Sequence, residues 1–396
     1  MIEGVTAERR PVARGDAVAL TQALVRIDSR NPSLADDGPG EGEVATALGQ
    51  VLQGWGFEVE LPEASPGRPN VVARMGPRDA PALMFAGHLD VVATEGMTHA
   101  PFDSDLRDGR IYGRGSTDMK SGIAAMCAAA ALALEPGDRA KRQIVIAAVA
   151  DEEYESIGMR ALLDSGVRAE AAIVTEPTRL AICPAHRGFA WIEIEFRGRA
   201  AHGSRYEIGI DAIRHAGLVL AELDELDRGA LTRIVHPLLG RASLHAGTIE
   251  GGIGMNTYPD SCRLTLERRT LPGETADAAM REVHDACERV RVRRPELDTS
   301  ITLTLAQNPS DVAIDAAVVS WLRSAIQAES MPLAVEGLSA WTDAALLNEA
   351  GIPAVCFGPG DISLAHANEE FVLIAEIESA TRVLTRVARD WLLKEL

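Results

Sequence analysis

Residues 143–153, QIVIAAVADEE, set an apolar run of strand length directly against three carboxylates. So short a run, rich in Val and Ile, predicts a buried strand of a parallel sheet covered on both faces. Ligands of open α/β sheets bind outside the carboxyl ends of the strands, which places Asp151, Glu152 and Glu153 in a crevice. Three adjacent anions repel one another. A divalent cation relieves the repulsion by taking one carboxylate as a ligand and leaving its neighbour free to handle a proton. For these three residues alone, a solvated acidic turn is the alternative.

The same pattern recurs along the chain. PALMFAGHLD (81–90) ends in His88 and Asp90; the two-residue period of an extended segment puts both side chains on one side, with Asp90 expected to accept the other ring N–H of His88. The glycine-punctuated loop 108–122 feeds a predicted helix over 123–134. It fits neither GxGxxG nor GxxxxGK[ST], and an acid at its helix mouth repels phosphate, so Asp118 reads as a metal ligand or an N-cap. A strand over 171–174 runs into Thr175-Glu176-Pro177, and one over 353–357 runs into the loop 358–366, which ends in His366. His88, Asp118, Glu153, Glu176 and His366 form a nitrogen and oxygen donor set suited to zinc, or to cobalt or manganese by substitution. Five ligands exceed one tetrahedral site. If one carboxylate bridges, they make two sites, each with three protein ligands and a position left for water.

The 396 residues exceed one typical core, so two domains are expected. A formal charge of −19 repels nucleic acid and anionic membrane and excludes both as expected partners. The five cysteines, Cys127, Cys183, Cys262, Cys287 and Cys356, never form a CxxC pair. They read as buried apolar residues in a reducing compartment. Residues 1–16 are charged and lack an apolar signal region, and no later run is long enough to span a bilayer; a cytoplasmic location is expected.

From Arg187 the texture changes. AWIEIEFR (190–197) alternates Ile192, Ile194 and Phe196 with Glu193, Glu195 and Arg197, as a half-exposed antiparallel strand does. A helix over 210–226, strands over 242–249 and 261–267, a helix over 276–292 and a strand over 300–305 follow. The order β-α-β-β-α-β is ferredoxin-like, and it predicts a domain over 187–306 inserted into one formed by 1–186 and 307–396. In the latter, helices are predicted over 16–27, 41–52, 157–163, 316–328, 343–349 and 370–393, with strands over 57–61 and 70–73.

GHLDVV (87–92), PFDSDLRDGRIYGRGSTDMK (101–120), DEE (151–153), TEPT (175–178), AHGS (201–204), NTYPD (256–260), RRTLPGE (268–274) and GPGDISLAH (358–366) stand in this order. Together they resemble the dinuclear zinc metallopeptidases and amidohydrolases that include acetylornithine deacetylase, succinyl-diaminopimelate desuccinylase, aminoacylase and several dipeptidases. The resemblance covers nearly the whole chain. It implies an α/β fold: a zinc-peptidase-like catalytic domain with a mostly parallel sheet covered by helices, and an inserted ferredoxin-like lid and dimerisation domain. It implies two divalent ions, zinc first, with Asp118 bridging, His88 and Glu176 completing one site, and Glu153 and His366 the other. Glu152 then matches the general base, Asp90 supports His88, and His202 of AHGS matches the oxyanion donor. Arg269 and Asn256 match residues that hold the substrate's carboxylate, with Arg187 and Thr342 assigned to the same pocket. A homodimer through the inserted domain is implied, since in dimeric relatives the partner's lid supplies the residue matching His202.

The implied reaction is hydrolysis of the amide of an N-acyl amino acid; a dipeptidase or carboxypeptidase is the alternative. Glu176 favours the first, because relatives with Glu here are mostly deacylases. A metal-binding dimer without catalysis is disfavoured, since every residue the mechanism needs is present. Ser121 stands where relatives usually carry glycine, and Trp341 where desuccinylase-like relatives carry a small residue, which alters the expected pocket size. His99, His186, His215, His236, His245 and His284 fall in no matched motif and read as surface or structural residues.

Overall fold

The structure, a computed structural model, describes residues 12–395; residues 1–11 of the charged amino terminus lie outside the described residues. The chain divides into two compact units. One contains the chain up to Pro184, Val312–Glu336 and the chain from Thr342; the other contains Ala185–Asp311 and Gly337–Trp341. The last stretch differs from the boundaries expected from sequence. It is held in the second unit where the Trp341 indole N–H donates to the Asn308 carbonyl at 3.0 Å.

In chain order the first unit forms α1 (Ala17–Val25), α2 (Gly42–Gly54), β1 (Glu58–Glu60), β2 (Val71–Met75), β3 (Ala82–His88), β4 (Arg110–Tyr112), α3 (Ser121–Leu132), β5 (Gln143–Val149), α4 (Ile157–Asp164), β6 (Ala171–Val174) and β7 (Ile182–His186). The second unit follows with β8 (Gly188–Arg197), α5 (Ala212–Arg228), β9 (Ser243–Gly251), β10 (Ser261–Thr270), α6 (Ala276–Arg293) and β11 (Asp298–Gln307). The first resumes with α7 (Ala317–Ala328), α8 (Ala344–Glu349), β12 (Ala354–Cys356), β13 (Phe371–Leu373) and α9 (Ile374–Leu393).

The first unit's large sheet has the order β1-β2-β5-β3-β6-β12-β7. Its centre is parallel, through β5/β3, β3/β6 and β6/β12, and antiparallel strands flank that centre at β1/β2, β2/β5 and β12/β7. Every residue of β3 and β5 is buried, which is why both read as unbroken apolar runs. Phe85, Ile144 and Ile146 pack in one cluster with residues of α1, α2, α3, α7 and α9, while α4 and α8 pack on the sheet outside that cluster. Burying a side chain such as Phe85 contributes about 1.5–3 kcal/mol.

The Ala-rich α3 is buried from Ser121 to Ala131, as a helix apolar on all sides must be. At its start, a Cβ on Gly122 would lie 1.9 Å from the Thr175 carbonyl oxygen, so only glycine allows this helix so close to the end of β6. The four parallel strands β3, β5, β6 and β12 all end on one edge of the sheet. His88, the 151–153 turn, Glu176 and the loop leading to His366 are thereby brought to that edge.

The expected helix over 370–393 begins only at Ile374. Phe371–Leu373 instead pairs antiparallel with Arg110–Tyr112, and this diverts Glu370 away from the helix and into the interior. In the second unit, the antiparallel strands follow the order β9-β10-β8-β11. Ile192, Ile194 and Phe196 pack against Val219 and Leu223 of α5 and Val283 and Val290 of α6. Strand β9 is a sheet edge and is largely exposed. Among the described residues no helix is long and apolar enough to cross a membrane.

Candidate active site

At the carboxyl edge of the parallel strands, Asp118 stands between two histidines. Its Oδ1 lies 3.0 Å from His88 Nε2 and its Oδ2 lies 3.6 Å from His366 Nε2. His366 Nε2 also meets Glu153 Oε2 at 2.9 Å. One donor atom from each of His88, Asp118 and Glu153 falls within a 4.8 Å group. Glu152 Oε2 is 3.9 Å from His88 Nε2. One oxygen of Glu153 and one of Glu176 are buried without a hydrogen-bond partner. Buried acceptors left this way cost free energy unless a cation or a donor meets them, so the donor set fits divalent metal.

The supporting residues correct three expectations. Asp90 does orient His88, but through its main chain: His88 Nδ1 donates to the Asp90 carbonyl oxygen at 2.9 Å, while the carboxylate Oδ1 stands off at 3.6 Å. The Asp90 carboxylate is otherwise engaged. It accepts the backbone N–H groups of Glu152 and Glu153 at 3.1 and 3.2 Å and the Asn31 amide at 2.8 Å. Asp151 does not project into the crevice. With φ at 68° it turns inward, where its carboxylate accepts from Asn31 and Arg68 and caps the N–H groups of Glu155 and Ile157. Finally, Asp118 is no N-cap. It lies in an irregular turn (φ −117°, ψ 95°), and the residue preceding α3 is Lys120, whose side chain makes no cap.

Burial dominates the electrostatics. It raises Glu152 and Glu176 well above the usual carboxylate range; repulsion from Glu176 adds to the effect at Glu152 and repulsion from Asp118 and Glu153 at Glu176, against the opposing pull of His88 on both. Burial also pushes Asp90 and Asp343 up to about 7. For His88, burial alone would lower the pKa, but Asp118 and Glu152 outweigh it and hold the imidazole well above its ordinary value. His366 behaves alike: burial opposes, the Glu153 hydrogen bond prevails, and the value rises to about 9. Left to the protein alone, so many carboxylates relieve their repulsion by taking up protons. Divalent cations are the other remedy.

The remaining residues named from the sequence divide between the units. Thr342 belongs to the first, where its hydroxyl lies 3.3 Å from Cys356 Sγ and accepts the Ala344 N–H at 3.2 Å. His202, Asn256, Arg187 and Arg269 belong to the second. There the exposed His202 sits beside Asn256, whose carbonyl accepts the Gly203 N–H at 2.7 Å. His202 Nδ1 accepts the Ser204 N–H at 3.2 Å, which leaves the proton of the neutral ring on Nε2. Arg269 pairs with Glu267 at 2.7 Å and lies over the Phe189 ring. Arg187 donates to the Leu239 carbonyl at 2.5 Å; burial lowers its pKa, and the nearby charges of Arg269 and Arg241 lower it further.

Sequence reasoning passed over Asn31, Glu41, Arg68, Arg114, Asp343 and Glu370. Asn31 carries only a turn signal, Asn-Pro, and Asp343 and Glu370 read as helix starts. Their partners lie far away in sequence, as Asp151 does from Asn31 and Arg68.

The geometry agrees with comparisons to known proteins. The chain is 31% identical over 347 residues to an acetylornithine deacetylase of Myxococcus xanthus, covering 85% of this chain and 88% of that protein. It is 29% identical over 382 residues to a putative succinyl-diaminopimelate desuccinylase of Mycobacterium tuberculosis, covering 94% and 98%. A metallo-carboxypeptidase of the M20 family from Sulfolobus solfataricus shares the fold, with a TM-score of 0.80 at 16% identity over 96% of this chain and 100% of that one. Residues 84–390, which carry all five candidate ligands and the Glu152 carboxylate, match a single family description, and the chain therefore belongs to Peptidase family M20/M25/M40.

Proposed function

We propose that this protein hydrolyses the amide bond of N-acyl amino acids using two divalent ions held by His88, Asp118, Glu153, Glu176 and His366. The observation that carries the proposal is the placement of Asp118, one oxygen toward each of two histidines, with Glu152 beside them. Asp118 would be shared between the two ions, with His88 and Glu176 holding one and Glu153 and His366 the other. Zinc, with cobalt or manganese as substitutes, supplies Lewis acidity toward the carbonyl and lowers the pKa of water when bound.

The chain's own residues perform the proton transfers. Glu152 accepts a proton from the attacking water as its oxygen bonds to the carbonyl carbon. The same carboxyl then delivers that proton to the departing amine nitrogen as the C–N bond breaks. Burial raises the Glu152 pKa, which favours its holding the proton between the two transfers. Asp90 fixes the turn that carries Glu152 by accepting its backbone N–H. His202, with its proton on Nε2, is the donor for the carbonyl oxygen as negative charge develops there. Arg269 and Asn256, with Arg187 and Thr342, hold the substrate's carboxylate.

The exposed β9 edge supports a homodimer formed through the second unit, since an unpaired edge is a template for a second copy. Five unpaired, buried cysteines support a cytoplasmic location. The deciding experiment is a panel of N-acetyl, N-succinyl and longer N-acyl amino acids set against dipeptides, run after chelation and again after adding zinc, cobalt or manganese. The reading expects acyl amino acids to be cleaved best and only with metal restored. Faster cleavage of dipeptides would favour the peptidase alternative, and full activity in metal-stripped protein would overturn the metal assignment.

A further inference from the structure

Arg114 and Glu370 form an ion pair at 2.7 Å in the first unit, with side chains only 3% and 1% exposed. Arg114 lies within the 101–120 motif and Glu370 lies in none. Burying two charges is costly, and such a pair is weak evidence for stability, because apolar residues of similar volume often serve as well. What this pair does with its remaining hydrogen bonds is more informative.

The guanidinium of Arg114 donates to the Ala93 carbonyl at 3.0 Å and to the Ala367 carbonyl at 3.3 Å. Ala93 lies just beyond the segment carrying His88 and Asp90, and Ala367 directly follows His366. Glu370 Oε1 accepts the backbone N–H groups of Thr117 and Asp118 at 3.0 and 3.2 Å. The Thr117 hydroxyl donates to the Phe371 carbonyl, and the Gly113 N–H donates to the Glu370 carbonyl. The two charges thus fasten the Asp118 turn, the His366 loop and the segment after His88 to one another. All of these residues belong to the first unit.

We propose that the Arg114–Glu370 pair is a positioning clamp that sets the spacing of the two metal sites, by holding the main chain of Asp118 against the loop of His366. The inference rests on the ligand assignment made above. Asp118 must aim one oxygen at each histidine's site, and its carboxylate direction follows its peptide, which Glu370 holds directly. Loosening the clamp moves His366 relative to Asp118 more than it moves Asp118 relative to His88, because Asp118 keeps its direct 3.0 Å contact with His88, itself held by β3 and the Asp90 carbonyl, while His366 stands 3.6 Å away on the clamped loop. The ion bound through His366 and Glu153 is therefore the more sensitive one.

The test uses the full chain, stripped of metal and titrated with cobalt by calorimetry and visible absorption. Two variants serve: Glu370→Gln, which keeps the side-chain shape, and the double variant Arg114→Met/Glu370→Met, which removes both charges. Wild type is expected to bind two cobalt ions per chain. Each variant should bind the first nearly normally and the second about 10–100-fold more weakly, as loss of ligand-supporting contacts does. The second ion's absorption band should change, and kcat should fall more than KM rises. Metal-free melting of the double variant close to wild type, together with the weakened second ion, separates positioning from folding. Should the double variant fail to fold, Glu370→Gln alone carries the test. A folded variant with two wild-type cobalt affinities and an unchanged spectrum would overturn the clamp alone. A wild type that binds no cobalt would overturn the ligand assignment first, and the clamp with it.

Discussion

Asp343 offers a prediction whose size follows from the structure. Its carboxyl is buried and neither oxygen has a hydrogen-bond partner. The Ser156 hydroxyl lies near enough to lower the pKa somewhat, but burial prevails and lifts it from 3.8 to about 7. A pKa raised in the folded state means that folding favours the protonated form. The stabilisation is fully present below 3.8 and is lost as the pH rises through 7. Three units at ~1.4 kcal/mol each give about 4 kcal/mol in all, of which about 2–3 kcal/mol disappears between pH 5 and pH 8. In metal-free protein the melting temperature should therefore fall over this interval, and Asp343→Asn should flatten the fall by about 2–6 °C, at ~1–2 °C per kcal/mol for a unit of this size. The buried amide will itself cost about 1–3 kcal/mol, but equally at both pH values. Calorimetry of both proteins in chelator at pH 5 and pH 8 measures the difference. Glu152 and Glu176 titrate in both proteins, and because the Asp343 charge raises both, part of the change in slope passes through them. An unchanged pH slope in the variant would show that Asp343 is not held neutral by burial.

Three further outcomes are expected. Glu152→Gln should retain metal by elemental analysis while losing about 10²–10⁴-fold in kcat, whereas Glu153→Gln should lose metal first; the opposite pattern would exchange their roles. Gly122→Ala forces a methyl group against the Thr175 carbonyl, 1.9 Å from the new Cβ, and should cost about 1–3 kcal/mol or more by urea unfolding, with weaker cobalt binding through Glu176; wild-type stability and affinity would contradict the packing argument. Mixing inactive His202→Ala and Glu152→Gln chains should restore about a quarter of wild-type activity if each dimer completes its sites in trans; no recovery among demonstrated heterodimers would place His202 in cis or outside catalysis.

The parts of the fold legible in the sequence are those where one physical demand governs a whole segment. Strands β3 and β5 are covered on both faces, so every position is apolar and the pattern is unmistakable. The alternation in β8 is equally plain because one face alone meets α5 and α6. Ligand candidates were legible because each follows such a strand or sits in a glycine loop. The contacts that aim them were not. Arg114 and Glu370 are 256 positions apart, and nothing local distinguishes Glu370 from the first residue of a helix until β13 pairs with β4. The His88–Asp90 spacing pointed to the right pair of residues and the wrong atom, because periodicity reports the side on which a side chain lies and is silent about a carbonyl competing for the same N–H.

The carboxylates that opened the reading are not three versions of one thing. Asp151 is shorter than its neighbours and turns inward at positive φ, and Arg68 meets it at 2.8 Å. Its charge is thus neutralised by the protein, and its oxygens are used up on the backbone of the turn. Asp118 and Glu153 lean on histidines. Glu152 and Glu176 are left with burial as the main influence on their protons, neighbouring carboxylates adding to it and His88 opposing it, and one Glu176 oxygen has no partner. A fold that needed only to neutralise acids would have treated all of them as it treats Asp151. His88 is the cation that pulls on both Glu152 and Glu176, while a guanidinium is supplied to Asp151, which shapes the turn carrying Glu152; a metal-assisted proton transfer requires such an arrangement: a rigid anchor, ligands still able to bind, and a base still able to take a proton.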